Sequence, residues 1–275
     1  MAITTRDGLL NAMGNSSQTF IVNKATIANA TAGYAMSLWL STGTPAPGVA
    51  PTTAAICTKA LAGAFQFDNP VSANSYLGRI MLMNSVTGAD IQFHDRLAHM
   101  GGLSGTVTTS QTVSVDVSGS SNNLANRRGA SDYSDVQWWI EIYTAIGTTA
   151  QTLTVTYTNA AGTGSQTTTV TIGATTNSQN RASRAIPIIG SGGEFIQSIQ
   201  SVQLAGSTGT AGNFGVTATR LLTGLSLGLA NNSTVYDWQS LGFPRVHDDA
   251  CIFMICLPGS TSTGAIYGSA KLVQG

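Results

Sequence analysis

A two-residue alternation of bulky and polar side chains over residues 153–172 constrains the fold of this chain more than any other feature. The stretch reads LTVTYTNAAGTGSQTTTVTI, so Leu153, Val155 and Tyr157 share one face of a strand and threonines share the other. The glycine-containing segment between the two runs favours a turn. We therefore predict a β-hairpin with one face on a core and a second face that is almost purely threonine.

Short apolar runs separated by Gly, Ser and Asn clusters continue through the rest of the chain. The clearest are WWIEIYT, TTTVTIG, FIQSIQSVQLAG, FGVTATRLLTGLSLGL and CIFMICLPG. Many short strands punctuated by turns are typical of antiparallel sandwiches, jelly rolls and barrels. We predict a mainly β protein, an antiparallel β-sandwich or jelly-roll-like fold with a short N-terminal helix or arm.

Two short helices are expected near the start of the chain. Residues Thr5 to Met13 form an amphipathic stretch with Thr4 or Thr5 as a cap and Gly14 as a stop. A second helix is predicted around 53–62, after a proline-rich loop.

The length of 275 residues allows one large or two modest domains. The Ser-Gly-Asn stretch over 118–132, SGSSNNLANRRGASD, is the best candidate for a boundary or a long functional loop. We predict an N-terminal arm plus β-rich region over 1–125 and a β-sandwich domain over 126–275. A single interleaved unit is the alternative.

Charge is scarce, at 9% of residues against about 25% in ordinary soluble domains. Twelve basic residues balance twelve acidic ones, so no net field attracts nucleic acid or an anionic membrane. Charged residues are depleted from the cores of protein–protein interfaces. The composition therefore favours a subunit that neighbouring proteins largely cover.

No membrane segment or secretory signal is predicted. The start, MAITTRDGLLNAMGN, lacks a basic region followed by an apolar run, and no stretch approaches the roughly 20 apolar residues that span a bilayer. We expect a protein that is soluble and intracellular when it is made.

The three cysteines fit neither a disulfide framework nor a zinc site, because the count is odd and no C-x-x-C pair occurs. Cys251 and Cys256 lie five positions apart in one apolar run and would face opposite ways on a strand. We predict buried structural thiols, with no bound metal and no cofactor.

One segment matches a catalytic motif. Residues 224–228 read G-x-S-x-G, the nucleophile elbow of α/β-hydrolases, which requires a strained strand-to-helix turn. The residues that follow, LANNSTVYDW, do not form a helix pattern. We predict no catalytic residues and no enzymatic activity, and keep a hydrolase using Ser226 as a rival hypothesis.

Histidines and carboxylates cluster at His94, Asp95, Arg96 and His99, and again at 247–249. Such groups can ligate a divalent metal or transfer a proton. No metal-ligand spacing is present, so we predict instead an ion pair between Asp95 and Arg96 and a hydrogen-bonded turn over 247–249.

Four residues are candidates for an interface. Arg127 and Arg128 lie in the Ser-Asn loop, where they could contact nucleic acid or an acidic partner, although a solvated loop is favoured. Trp138 and Trp139 would point to opposite sides of a strand, so one is expected in the core and the other at an interface or beneath a loop. An exposed tryptophan platform for sugars is an alternative.

Five segments together resemble structural proteins of tailed bacteriophages. They are LWLSTGTPAPGVAP (38–51), HDRLAHMGGLSGT (94–106), WWIEIYTAIGTTAQTLTVTYTNAAG (138–162), STGTAGNFGVTATR (207–220) and RVHDDACIFMI (245–255). The resemblance covers most of the chain and carries over no functional residues. It implies a virion component such as a capsid cement or decoration protein.

This resemblance implies a location on the capsid surface, assembly in the host cytoplasm and the phage major capsid protein as partner. We expect a homotrimer that clamps adjacent capsid subunits through its long loops and N-terminal arm. A tail, baseplate or head-fibre protein that binds a receptor through a carbohydrate-binding β-sandwich is the alternative.

Overall fold

The fold is described from a computed structural model over residues 3–275. The helices are α1 (Arg6–Asn15) and α2 (Leu124–Arg127), with 3-10 turns at Ser121–Asn123, Thr176–Ser178 and Ser191–Gly193. The strands are β1 (Ser17–Lys24), β2 (Met36–Ser37), β3 (Gly43–Thr44), β4 (Ala55–Ile56), β5 (Ser75–Asn84), β6 (Ala89–Leu103), β7 (Gln111–Asp116), β8 (Val136–Thr144), β9 (Gln151–Asn159), β10 (Gln166–Ile172), β11 (Ala185–Ile188), β12 (Ile196–Leu204), β13 (Asn213–Leu227), β14 (Thr234–Asp237), β15 (Arg245–Val246), β16 (Ile252–Leu257) and β17 (Ile266–Gln274).

These strands form three antiparallel sheets. The six-stranded sheet has the order β14-β5-β17-β1-β3, with β15 also paired to β5. The four-stranded sheet has the order β10-β9-β12-β7. The seven-stranded sheet has the order β11-β8-β13-β6-β16-β2, with β4 also paired to β6.

The seven-stranded sheet contributes to two hydrophobic cores. In the first core, Val155 and Ile199 of the four-stranded sheet join Ile140 and Val216 of the seven-stranded sheet. In the second core, the apolar face of the six-stranded sheet joins other residues of β6, β13 and β16. The two 15-residue strands β6 and β13 supply residues to both cores. The prediction of a mainly β, antiparallel sandwich-like fold with a short N-terminal helix is confirmed.

The predicted hairpin is β9–β10, with Val170 opposite Leu153. Its turn is closed by the Gly162 N–H, which donates to the Asn159 carbonyl at 2.9 Å. Gly162 has φ +81°, a left-handed conformation that glycine adopts without steric cost. The Thr163 N–H also donates to the Asn159 side-chain oxygen at 2.9 Å, which fixes the turn that the sequence predicts.

Strand pairs cross the predicted boundary after residue 125 in all three sheets. In the six-stranded sheet β5 pairs with β17, in the four-stranded sheet β7 pairs with β12, and in the seven-stranded sheet β6 pairs with β13. A cut between 1–125 and 126–275 would therefore open every sheet.

The N-terminal helix begins where the sequence predicts. Thr5 is its cap, since the Gly8 N–H donates to Thr5 Oγ1 at 3.0 Å. The helix continues past Gly14 to Asn15, and its buried residues Leu9 and Ala12 pack against Val273 of β17. The helix is thus docked on its own chain.

The helix predicted over 53–62 is wrong. Ala55 and Ile56 form β4 instead, opposite His99 and Ala98 of β6, and turns follow. Hydrogen bonds to the free edge of β6 outweigh the weak helix preference of an alanine-containing stretch.

Candidate functional site

The G-x-S-x-G segment does not form a nucleophile elbow. Ser226 lies within β13 in extended conformation, and no helix follows it. Its N–H donates to the Tyr236 hydroxyl at 3.2 Å, and that hydroxyl donates to the Ser226 carbonyl at 2.8 Å. The strained strand-to-helix turn that exposes a nucleophile is therefore missing at residues 224–228.

The predicted ion pair between Asp95 and Arg96 is wrong. Both residues are buried on β6, but Asp95 pairs with Arg127 at 2.6 Å and Arg96 pairs with Glu141 at 2.6 Å. Consecutive side chains of a strand point to opposite faces, so Asp95 and Arg96 find different partners.

Arg127 is buried within the chain, so the expectation of a solvated or interfacial loop arginine is wrong. Its Nε and Nη2 atoms donate to the two carboxylate oxygens of Asp95 at 2.9 and 2.6 Å. Nη1 also donates to the Cys57 carbonyl at 2.7 Å, and Nη2 to the Arg96 carbonyl at 3.0 Å. Short helix α2 carries this side chain inward, next to the buried Leu124.

This ion pair closes a break between two strands. β13 covers one edge of β6 along its length, so β4 and β16 share the other edge and lie end to end. At the break, the Cys57 carbonyl accepts from Arg127, and the Cys251 N–H donates to Asp95 Oδ1 at 2.8 Å. In a continuous strand, the Cys57 carbonyl and the Cys251 N–H would belong to one peptide bond. Here the strand is interrupted between them, and the Arg127–Asp95 pair gives each of these buried backbone groups a hydrogen-bond partner.

A second buried network surrounds Arg96. Its guanidinium donates to Glu141, to Tyr143 Oη at 2.9 Å and to His99 Nδ1 at 2.9 Å, and lies 4.4 Å from the centre of the Trp39 ring. Burial alone raises the pKa of the Glu141 carboxyl, but the Arg96 charge and the hydrogen bonds it accepts hold that pKa below its usual value. Glu141 therefore stays ionised inside the protein.

Neither network is open to a substrate. Arg96, Arg127, Asp95 and Glu141 are each at most 2% exposed. Within residues 3–275, no group of His, Cys, Asp or Glu side chains could hold a metal ion. Both networks therefore act as internal connections between strands.

His94 is neutral and fully buried. The Trp139 indole N–H donates to Thr219 Oγ1 at 2.9 Å, so the Thr219 hydroxyl is free to donate to His94 Nδ1 at 3.2 Å. His94 Nε2 then donates to Gln92 Oε1 at 3.1 Å. Burial lowers the pKa of His94 to about 3.

The predicted turn over 247–249 is confirmed, since the Ala250 N–H donates to the His247 carbonyl at 3.1 Å. Burial and the charge of Arg245 lower the pKa of His247 to about 4. All three cysteines are buried and free. Cys256 lies in the second core and Cys251 in a smaller apolar cluster with Trp39 and Phe253, so the two face opposite ways, as their spacing predicts.

Arg128 is half-buried and bonds to its own loop. Its Nη1 atom donates to the carbonyls of Val117, Ser118 and Gly119 at 2.6–3.1 Å. Together Arg127 and Arg128 hold the segment 118–132 against the body of the protein.

The two tryptophans of β8 point to opposite sides, as the alternation predicts. Trp138 is 3% exposed in the first core, and its indole N–H donates to the Ile196 carbonyl at 2.9 Å. Trp139 is half-buried and packs beside the network around Arg96. Both line a groove of about 260 Å³ together with the exposed side chains of Ile189 and Phe195.

The outer face of the four-stranded sheet is a surface of hydroxyl and amide side chains, which we call the hydroxyl face. Successive strands align these residues in rows across the sheet. One row runs Thr167, Thr156, Ser201, Thr112, and the next runs Thr169, Thr154, Gln203. The remaining members are Ser114, Asp116, Thr152, Thr158, Thr171 and Ser198.

Asp116 is the one charged residue of the hydroxyl face, and it lies at the end of β7. The opposite face of the same strands is fully buried at Leu153, Val155 and Tyr157. Neutral donors and acceptors at regular strand spacing suit contact with another protein better than contact with an ion.

The residues that sequence reasoning missed are the partners inside the Arg96 network. Glu141 stands within the apolar strand WWIEIYT, flanked by the buried residues Ile140 and Ile142. A charge at an inward position of an apolar strand indicates a buried partner, and this signal could have found it.

Comparison with known proteins gives no family. No protein-family model matches the chain, and no curated protein matches it. The chain has weak structural similarity to viral capsid proteins. One is a chain from the structure of infectious bursal disease virus Gt strain, at 10% identity and a TM-score of 0.17. The match covers 94% of this chain and 79% of that chain. The VP2 subviral particle of the same virus gives 9% identity, a TM-score of 0.16 and the same coverage. At TM-scores this low, neither fold nor function transfers.

Among residues 3–275, no helix has the length and apolar character needed to cross a membrane.

Proposed function

We propose that this protein is a non-enzymatic structural component of a phage virion, a capsid cement or decoration protein that binds the major capsid protein lattice. The observation that carries the proposal is the hydroxyl face, a whole sheet surface with a single charge at its edge. The likeness of five segments to tailed-phage structural proteins supports the same role.

An uncharged face lowers the cost of burial between subunits. Removing an ion from water costs several kcal/mol unless it is paired, whereas a hydroxyl needs only one hydrogen-bond partner. Threonine is stiff at χ1, so little side-chain entropy is lost when such a face is covered. The face can therefore meet a neutral partner surface with few unpaired groups.

The distribution of charge supports this reading. Six of the charged residues are buried in the chain, namely Lys24, Asp95, Arg96, Arg127, Glu141 and Arg184. A surface already poor in charge is thereby left poorer. The segment 118–132 and helix α1 are docked on their own chain, so we place the contact with the lattice on the hydroxyl face rather than on loops or an arm.

A charge placed on the hydroxyl face is expected to prevent incorporation into particles. Thr154→Lys puts an ammonium at the centre of the face, and burying it unpaired should weaken binding by about 100-fold. The measurement is the copy number in purified particles by quantitative mass spectrometry. Thr87→Lys, at an exposed threonine in another part of the chain, is the matched control.

Equal retention of Thr154→Lys and Thr87→Lys would rule out the hydroxyl face as the contact. Absence of the unsubstituted protein from purified particles would refute the virion role itself. Thermal unfolding of both variants checks that the fold is intact.

The groove beside Trp139 favours a second candidate, a tail, baseplate or head-fibre protein with a carbohydrate-binding β-sandwich. Half-buried Trp139 and exposed Phe195 could stack on a sugar ring. Glycan binding that is lost in Trp139→Ala, together with few copies per particle, would favour this candidate. A decoration protein should instead be present in hundreds of copies.

A further inference from the structure

Two cysteines meet at the break between β4 and β16. Ile56 of β4 lies opposite Ala98 of β6, and the Cys57 N–H then donates to the Leu97 carbonyl at 2.9 Å. From the other side, Ile252 of β16 lies opposite Asp95, and the Arg96 N–H donates to the Cys251 carbonyl at 2.9 Å. Cys57 and Cys251 therefore occupy consecutive positions along one edge of β6.

This placement makes the two residues neighbours in space. Consecutive positions along a strand are about 3.3 Å apart, and a disulfide requires a Cα separation of about 4.4–6.8 Å, so the bond can close only because no peptide bond joins these two strand ends. The register of β6 shifts at Leu97, since Ala98 pairs with Ala218 and Arg96 with Thr219, and this interrupts the alternation of faces. Both cysteine side chains therefore lie in the same apolar cluster, with Trp39 and Phe253, and both are fully buried. The two side chains are near enough for each thiol to shift the pKa of the other.

The surroundings give the two thiols different reactivity. Burial alone raises the pKa of the Cys57 thiol, but hydrogen bonds from Cys251 and His99 and the nearby Arg96 charge bring that pKa well below its usual value. Burial and the hydrogen bond with Cys57 raise the pKa of Cys251. Since the thiolate is the reactive form, Cys57 is the nucleophile of the pair.

We propose that Cys57 and Cys251 form a latent disulfide site that closes when the protein meets an oxidant. With hydrogen peroxide, the Cys57 thiolate attacks one oxygen, the O–O bond breaks, and Cys57 becomes a sulfenic acid as hydroxide leaves and takes up a proton. The Cys251 sulfur then attacks the Cys57 sulfur and releases water. Two thiols and one peroxide thus give one disulfide and two waters.

The resulting bond would tie the end of β4 to the start of β16 at the point where Arg127 and Asp95 already satisfy the backbone. It would join two segments that are far apart in the chain, so it should restrict the unfolded state strongly. This inference does not depend on the proposed function, because it rests on the strand register and on the surroundings of the two cysteines.

Cys256 is the internal control. It is as buried as the other two, but its thiol donates to the Thr263 carbonyl at 3.9 Å and lies in the second core, away from Cys57 and Cys251. Burial raises the pKa of its thiol to about 12. If the oxidant reacted with any buried cysteine, and not specifically with two neighbouring thiols, Cys256 would therefore be oxidised as well.

The test has two arms on the full chain. Folded protein is treated with dilute hydrogen peroxide over hours, and unfolded reduced protein is refolded with oxidised and reduced glutathione, which reaches both thiols before they are buried. Remaining thiols are then alkylated in denaturant and the peptides are analysed by mass spectrometry. We expect a linked Cys57–Cys251 peptide with the loss of two hydrogen atoms and an alkylated Cys256.

Thermal unfolding without reductant gives an independent readout. Oxidation should raise the midpoint by about 5–10 °C, and reductant should reverse the rise. Cys57→Ser and Cys251→Ser should each abolish both the linked peptide and the rise, while Cys256→Ser should keep both. If a variant fails to fold, the proposal is tested by whether the Cys57–Cys251 linked peptide is present in the unsubstituted protein. Absence of the linked peptide from both arms, or linkage of Cys256 instead, would overturn the proposal.

Discussion

Arg127→Ala is expected to lower the free energy of unfolding by about 3–5 kcal/mol. The substitution leaves the Asp95 carboxylate buried without its partner, and it leaves the Cys57 carbonyl without a donor at the break between β4 and β16. An uncompensated buried charge and an unsatisfied buried carbonyl both favour the unfolded state. Urea denaturation followed by tryptophan fluorescence measures the change.

Two other arginines provide the comparison. Arg128→Ala removes a half-buried side chain that bonds only to loop carbonyls, so a loss of about 1–2 kcal/mol is expected. Arg181→Ala removes an exposed side chain and should change stability by less than about 0.5 kcal/mol. Equal effects of all three substitutions would show that Arg127 does not act through a buried ion pair.

Acidification is expected to remove about 3 kcal/mol of stability between pH 6.5 and about pH 4 through His94. The pKa of His94 is about 3 in the folded protein and about 6.5 when unfolded, so the unfolded state binds more protons between these values. The stabilisation is complete above the unfolded pKa and is lost as the pH falls towards the folded pKa. Protonation would also oblige Thr219 to turn its hydroxyl hydrogen away from His94 Nδ1.

The contribution of His94 can be isolated by His94→Gln, which keeps hydrogen-bonding capacity without a titrating group. In this pH window, the slope of the free energy of unfolding against pH should be smaller in the variant by about 1.4 kcal/mol per pH unit. Free energies of unfolding from urea titrations at a series of pH values give the slope. An unchanged slope would show that His94 is not the group that responds to acid, and His247→Gln would then be the next variant to compare.

The alternation of apolar and polar residues predicts which face of each strand is buried, but it does not predict which strands lie next to each other in a sheet. Leu153, Val155 and Tyr157 turn inward because a strand has a period of two, and a buried face allows no slip by one residue. Asp95 and Arg96 do not pair, because adjacent residues of a strand are not neighbours in space at their side chains. The same period of two sends them to different partners.

The buried role of Arg127 could not be predicted from its local sequence. The Ser-Gly-Asn stretch around it has the composition of a solvated loop. The Arg127 side chain is held inside by the carbonyl of Cys57 and the carboxylate of Asp95, which are both distant in the chain. These two groups need a buried donor only once β4 and β16 have met on β6. Glu141 differs, because its place within an apolar strand already signals a partner.

Together these features give a protein that holds several of its charges inside and presents hydroxyls outside. The ion pairs of Arg127 and Arg96 connect strands within the chain, so they are not available to a partner. The hydroxyl face, centred on Thr154 and Thr156, is the surface on which assembly would depend least on charge.

Cryo-EM of particles that carry this protein, with icosahedral averaging and copy number from mass spectrometry, tests the assembly role most directly. We expect this fold to recur across the shell at threefold or inter-capsomer positions, with the hydroxyl face covered by a neighbouring subunit. Density confined to one vertex or the tail, or a hydroxyl face left open to solvent, would contradict the cement role.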